Sequence, residues 1–209
     1  MTDVSARYHD PALLIVDMQN DFVRQGAPLE VPDARATLPS HARLIAAFRS
    51  RRLPIVYTKF LSTEEPSLLW TWSPQCAPPV RLCGRGVRRS YADADGPLDC
   101  ADVVSEIYPA PDDLVIEKYG YGAFHGTSLS DRLRQKGVRS LMVTGTVTQI
   151  CVEETAREAF HHGFRTTLVE DAVSSFAPEL HRAALTNFAM KFGWVESSAA
   201  IIAAVGARA

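Results

Sequence analysis

The sequence predicts an α/β fold built on a three-layer, doubly wound parallel sheet, and three observations carry that expectation. Short apolar runs recur along the chain, at residues 12–16, 54–57, 114–116, 141–143, 165–169 and 194–196. Runs of this kind are strands covered on both faces. Segments of helix length separate them, and strand alternating with helix is the pattern of a parallel sheet joined by right-handed crossovers. The composition agrees: 209 residues with 46% hydrophobic and 22% charged side chains suit a globular chain with a continuous core. Residues 1–209 therefore read as one domain, with a long loop insertion at about 60–111.

The first run, 12–16, ends in Asp17 and opens the turn Asp17-Met-Gln-Asn-Asp-Phe22. A carboxylate at the end of a buried strand is costly unless something uses it. Residues 39–52 read as an amphipathic helix, with Leu44, Ile45 and Phe48 on one face and arginines on the other. The second strand, 54–57, runs into Thr58 and Lys59. Beyond residue 60 the periodicity is lost, and five prolines fall between Pro66 and Pro97. A loop of this length in a compact chain is commonly functional, and Trp70 and Trp72 point to a packed lid or a subunit contact. The third strand, 114–116, leads to Glu117 and Lys118 and then to a glycine-punctuated aromatic turn, Tyr119-Gly-Tyr-Gly-Ala-Phe124. Ser128 or Ser130 caps a helix that Gly137 ends. Strand 141–143, a helix over 149–162, strand 165–169, a helix over 179–191, strand 194–196 and a small-residue helix over 199–205 complete the chain.

The formal net charge of −2 offers no electrostatic basis for nucleic acid or an anionic membrane as partner. Arg81, Arg85, Arg88 and Arg89 form a local cluster that reads either as a solvated loop face or as an anion-binding rim. Of the four cysteines, Cys76, Cys83 and Cys100 share the loop segment and Cys151 stands apart. They form no CxxC pair, no zinc-ligand spacing and no disulfide framework that a chain of this size needs. No signal pattern and no apolar run of spanning length is present. The expectation is a reduced, cytoplasmic enzyme or binding protein without a metal.

Cys151 sits where a strand hands over to a helix, and the N–H groups and partial positive charge of a helix start favour thiolate. The alternative is a buried cysteine acting as a small hydrophobe. Doubly wound sheets bind ligands outside the carboxyl ends of their strands, and Asp17, Lys118 and the turn before Cys151 all fall there. A thiol, a carboxylate and an ammonium together suit acyl transfer to sulfur. Asp17 serves as base and then acid, Lys118 as a positive neighbour, and turn N–H groups as an oxyanion hole. Taken singly, Asp17 also reads as a helix cap and Lys118 as a surface side chain. His161 and His162 close a helix, where a cation suits the dipole, while His125 lies near the lysine turn and reads as either solvated or pocket-facing.

Three stretches resemble the isochorismatase-like cysteine hydrolases: Ile15-Val-Asp17-Met-Gln-Asn-Asp-Phe22, Lys118-Tyr-Gly-Tyr-Gly-Ala-Phe124-His-Gly-Thr-Ser-Leu129 and Gly145-Thr-Val-Thr-Gln-Ile-Cys151-Val-Glu-Glu-Thr-Ala-Arg157. They stand in the family's order, Asp then Lys then Cys. The resemblance implies a six-stranded parallel sheet of order 3-2-1-4-5-6, a dimer or tetramer, and an Asp17–Lys118–Cys151 triad working through a thioester. It further implies a cis peptide at Thr146–Val147, an oxyanion hole from the N–H groups of Val147 and Cys151, and Phe22 as pocket aromatic. Gln19, Trp70, Tyr119, Tyr121, Phe124, Thr148 and Gln149 are the remaining candidates for substrate contact. Metal-binding members of the family carry histidines after the second strand. Here that region reads Tyr57-Thr-Lys-Phe-Leu-Ser-Thr-Glu64, so neither metal nor other cofactor is expected.

The closest likeness is to the ureido and carbamoyl amide hydrolases, such as biuret hydrolase and ureidoacrylate amidohydrolase. The expected function is cleavage of a C–N bond in a small amide or ureido compound. A vinyl-ether hydrolase on the same scaffold, which does not need Cys151, and a non-catalytic α/β binding protein are the alternatives.

Overall fold

A computed structural model of the chain describes residues 7–207. Its main sheet contains β1 (Pro11–Val16), β2 (Ile55–Phe60), β3 (Leu114–Lys118), β4 (Ser140–Thr146), β5 (Arg165–Ser174) and β6 (Trp194–Glu196). Every neighbouring pair is parallel, in the order β3-β2-β1-β4-β5-β6. The chain winds outward in one direction from β1 and then restarts at β4 in the other. The crevice between β1 and β4 is therefore the topological switch point, where such sheets hold ligands.

The helices are α1 (Ala34–Ser50), α2 (Leu129–Gln135), α3 (Glu153–His161), α4 (Pro178–Lys191) and α5 (Ser198–Gly206). Alternation along β1 shows how they cover the sheet. Leu13 and Ile15 pack with Leu44 and Phe48 of α1 and Ile201 and Val205 of α5. Ala12, Leu14 and Val16 face Leu129 and Leu133 of α2, Ala156 and Ala159 of α3, and Phe188 of α4. Successive strand residues point to opposite faces, so two apolar cores, one on each side of the sheet, give the three layers. Among the described residues, no helix is long and apolar enough to cross a membrane.

Four strands run further than their apolar runs. β2 extends through Thr58 and Lys59 to Phe60, β3 to Lys118, β4 to Thr146 and β5 to Ser174. Thr58 near the end of β2 and the last residues of the other three, Lys118, Thr146 and Ser174, are polar yet buried where the strands border the crevice, and an apolar pattern stops short of them. Helix α1 begins at Ala34, with Pro39 inside it rather than at its start. The single helix expected over 149–162 divides into a wide π-type turn, Thr148–Val152, and α3 proper.

The 61–111 segment is neither structureless nor a detached lid. Leu82, Cys83, Val103, Val104 and Ile107 are buried in the core on the α1 side, and Arg88–Arg89 pairs antiparallel with Leu98–Asp99. Asp21, fully buried, anchors it by accepting from the Cys83 N–H at 2.7 Å, Arg89 Nε at 2.9 Å and the Tyr91 hydroxyl at 2.7 Å. The arginine cluster stitches loops together instead of forming an anion rim. Arg89 pairs with Asp21, Arg85 with Glu117 at 2.7 Å, and Arg88 donates to the Pro97 carbonyl.

Candidate active site

Asp17 follows β1 directly and takes φ +50°, a left-handed conformation that Asp tolerates better than most residues. Thr58 locks it in place. Its hydroxyl donates to Asp17 Oδ1 at 2.6 Å and accepts the Asp17 N–H at 3.2 Å. Lys118 ends β3, two strands away, and its long side chain crosses β2 to put Nζ 2.7 Å from Asp17 Oδ2. The other two ammonium protons go to the carbonyls of Gly120 at 2.9 Å and Tyr121 at 2.8 Å. Neither Asp17 nor Lys118 has any solvent exposure.

Cys151 lies on the π-type turn after β4, buried, with both charged groups acting on its thiol. Gly145 makes the approach possible. At φ +112° it passes so close to β1 that a Cβ would stand 2.0 Å from the Val16 carbonyl oxygen. The Thr146–Val147 peptide is cis. Thr148 Oγ1 lies 2.9 Å from the Ser174 carbonyl and 2.9 Å from His181 Nδ1. The hydroxyl has one proton, so it donates to the carbonyl and accepts from the imidazole.

Burial dominates the titration of Cys151 and pushes the thiol up to about 12; Lys118 pulls the other way and the Asp17 carboxylate adds to the rise. The direction is opposite to the pull of a helix start, which favours thiolate. Burial also opposes the charge on Lys118, but the attraction of Asp17, with a smaller contribution from Cys151, outweighs it and the ammonium is held above its ordinary range. A proton must leave Cys151 during any nucleophilic step, and the carboxylate already facing it is the acceptor at hand.

A small cavity of about 30 Å³ borders the thiol, enough for a water or two. Phe22, Tyr121, Val147 and Cys151 line it, together with Phe60, Leu82, Cys76 and Ser73. Outside lies an open cleft of about 560 Å³, whose walls include Trp72, Gln149, Glu153 and Arg157. Ser73, Tyr121 and Ile150 border both spaces, and the Ser73 and Tyr121 hydroxyls meet at 3.1 Å between them.

Other candidates sit elsewhere. Gln19 is consumed by the loop: Nε2 donates to the Phe60 and Ala101 carbonyls, and Oε1 accepts the Phe60 N–H. Tyr119 is half-exposed beside Arg85. Phe124 stacks on His162 and meets Phe164 at a tilt, in the core on the α2 and α3 side. Trp70 packs on the α1-side core without lining the cavity. Thr148 is engaged with Ser174 and His181, and Gln149 belongs to the outer cleft. His125 is exposed. Lys59, near the end of the second strand, pairs with Asp102 at 2.9 Å. Among the described residues, no group of three or more His, Cys, Asp or Glu side chains is arranged to hold a metal. Thr58, Ser73, Cys76 and His181 were not legible as site residues. Thr58 alone left a signal, a polar residue directly after an apolar strand.

The sequence model of the isochorismatase domain matches residues 11–200. The chain belongs to the isochorismatase family. It is similar to the ureidoacrylate amidohydrolase RutB of Methylobacterium radiotolerans, 32% identical over 94% of this chain and 81% of that protein. Among solved structures, N-carbamoylsarcosine amidase from Thermoplasma acidophilum is 30% identical, with a TM-score of 0.73 over 90% of this chain and 96% of that one. A cysteine hydrolase from Pseudomonas syringae pv. phaseolicola shares the fold at a TM-score of 0.83 over 99% and 95% of the two chains, with 23% identity.

Proposed function

We propose that this isochorismatase-family protein is a cysteine amidohydrolase that cleaves a C–N bond in a small amide or ureido compound through a thioester on Cys151. The enzyme is a hydrolase of carbon–nitrogen bonds other than peptide bonds. The observation that carries the mechanism is the fully buried Asp17–Lys118 ion pair acting on a buried thiol. The names of the RutB and N-carbamoylsarcosine amidase relatives support the bond type.

As Cys151 sulfur attacks the substrate carbonyl, its proton passes to Asp17, and the carbonyl becomes an oxyanion facing the N–H groups of Val147 and Cys151. Lys118 offsets the negative charge of the site throughout. Collapse of the tetrahedral intermediate breaks the C–N bond, and Asp17 returns the proton to the leaving nitrogen. Water then attacks the thioester; Asp17 takes one of its protons and passes it to the departing sulfur. Thr146 shapes the turn, Thr58 holds Asp17, and Phe22 and Tyr121 flank the carbonyl. A Cys151 thiol that rests protonated needs this base. The chain acts as one domain in a cytoplasmic homodimer or homotetramer.

The test is intact-protein mass after brief exposure to amides, ureas and carbamoyl compounds, quenched in acid. An acyl adduct on Cys151, absent in Cys151→Ala, is expected with a substrate. Undiminished turnover by Cys151→Ala would refute the thioester and favour the vinyl-ether chemistry known on this scaffold.

A further inference from the structure

The bond that breaks does not specify what surrounds it; the charge distribution does. None of the side chains lining the cavity at Cys151 is charged, and Phe22, Phe60, Leu82, Val147 and Ile150 make most of its wall. Its two hydroxyls, on Ser73 and Tyr121, face each other at 3.1 Å. Lys118, the nearest cation among the described residues, is ion-paired with Asp17 and donates to the carbonyls of Gly120 and Tyr121. The outer cleft sets Glu153 and Glu154 against one arginine, Arg157. That guanidinium is held 2.5 Å from Glu153 and lies 4.4 Å from the centre of the Phe192 ring. An anion entering by this route meets net negative charge first and then an apolar cavity in whose lining, among the described residues, no side chain is charged.

One polar group in the cleft wall is unspent. Gln149 has both Nε2 and Oε1 buried, with no partner for either. Turned toward the cleft that the residue lines, its primary amide presents a donor and an acceptor side by side, the complement of an uncharged amide or ureido group. A carboxylate offers only acceptors, matches half of Gln149, and must be stripped of water without a cation to replace it.

We infer that the site selects uncharged amide or ureido compounds with a compact apolar body, read by Gln149, and rejects compounds that carry a carboxylate. The inference rests on the amidohydrolase reading above and narrows it. An unsaturated ureido carboxylate, the kind of compound in the RutB relatives' name, falls on the rejected side.

Two matched pairs test it on the full-length protein. Iodoacetamide and iodoacetate differ chiefly in charge, and alkylation of Cys151 by each is followed by peptide mass and normalised to the same cysteine in the unfolded chain. Butylurea and 3-ureidopropionate are near-isosteric, and each is assayed by ammonia release. The expected preference for the neutral member is at least about 100-fold in both pairs, the scale of discrimination when a buried polar group goes unmatched. Gln149→Leu should raise KM for butylurea about tenfold or more, with little change in kcat. A normalised iodoacetamide preference near unity, or 3-ureidopropionate turned over as well as butylurea, overturns the inference. The alkylation pair needs no turnover, so it decides even if neither urea is a substrate. Turnover that survives Cys151→Ala would instead refute the nucleophile and leave the charge preference measurable.

Discussion

Replacing Lys118 by methionine isolates the energetics of the buried pair. The side chains are 2.7 Å apart with no solvent exposure, so Lys118→Met leaves the Asp17 carboxylate buried without its counter-charge. Breaking such a pair from one side costs about 3–5 kcal/mol. The carbonyls of Gly120 and Tyr121 lose their donor as well, adding roughly 1–3 kcal/mol for each that stays unpaired. Against a typical total stability of about 5–15 kcal/mol, the variant is close to unfolding. The double variant Asp17→Asn/Lys118→Met removes the stranded charge. Asn tolerates the φ of +50° and still accepts from the Thr58 hydroxyl. It should recover at least about 2 kcal/mol relative to the single variant, since neutral replacement of a buried pair is far less costly than breaking it. Urea denaturation followed by circular dichroism reads both, with the wild type as reference. Equal stability of single and double variants, within about 0.5 kcal/mol, would refute the claim that an uncompensated charge is the penalty. The pH dependence has a defined sign. Lys118 is held above its ordinary 10.5, so the contribution from its protonation is complete below that value and fades as pH rises through the higher folded pKa.

Three further outcomes are expected. Gly145→Ala places a Cβ 2.0 Å from the Val16 carbonyl at φ +112°, and should cost about 2–4 kcal/mol by thermal melting; a melting temperature within a degree or two of wild type would contradict the close approach. The Cys151 thiol, pushed up to about 12, should react with iodoacetamide more slowly than a free cysteine at about pH 8, and faster as pH rises toward about 12. Rapid, pH-independent labelling would be inconsistent with a resting thiol. His41 is fully buried, its Nδ1–H given to the Thr37 carbonyl, and burial lowers its pKa from 6.5 to about 4. The unfolded chain therefore takes up the proton first, and stability falls as pH drops below about 6.5, by about 2.5 kcal/mol at about pH 4.5. His41→Gln should lose this component, seen as a flatter urea midpoint between about pH 7 and pH 4.5; parallel curves would exclude His41 as its source.

Much of the architecture was legible because the strands are buried on both faces. An unbroken apolar run such as that ending in Val16 has no other economical place in a chain of this composition. Strand alternating with helix then constrains handedness and layers, and the motif order Asp, Lys, Cys names the groups that the sheet's carboxyl edge brings together. The strand ends were not legible. Thr58, Lys118, Thr146 and Ser174 are polar and look like loop residues, yet they are buried because they close the crevice. Aromatic and amide candidates separated for the same kind of reason: Gln19 and Phe124 carry the right chemistry, but one is tied to Phe60 and Ala101 and the other to the far core. Sequence alone determined the layers of the fold, which follow from periodicity, and singled out Asp17, Lys118 and Cys151 by their chemistry and by the family resemblance. Tertiary structure alone decided that Lys118 reaches Asp17 and the carbonyls of Gly120 and Tyr121, that Cys76 and Leu82 of the long loop wall the cavity, and that Gln149 remains unpaired. Those facts depend on which side chains distant segments bring within hydrogen-bond and van der Waals reach, and no local pattern along the chain encodes a distance across it.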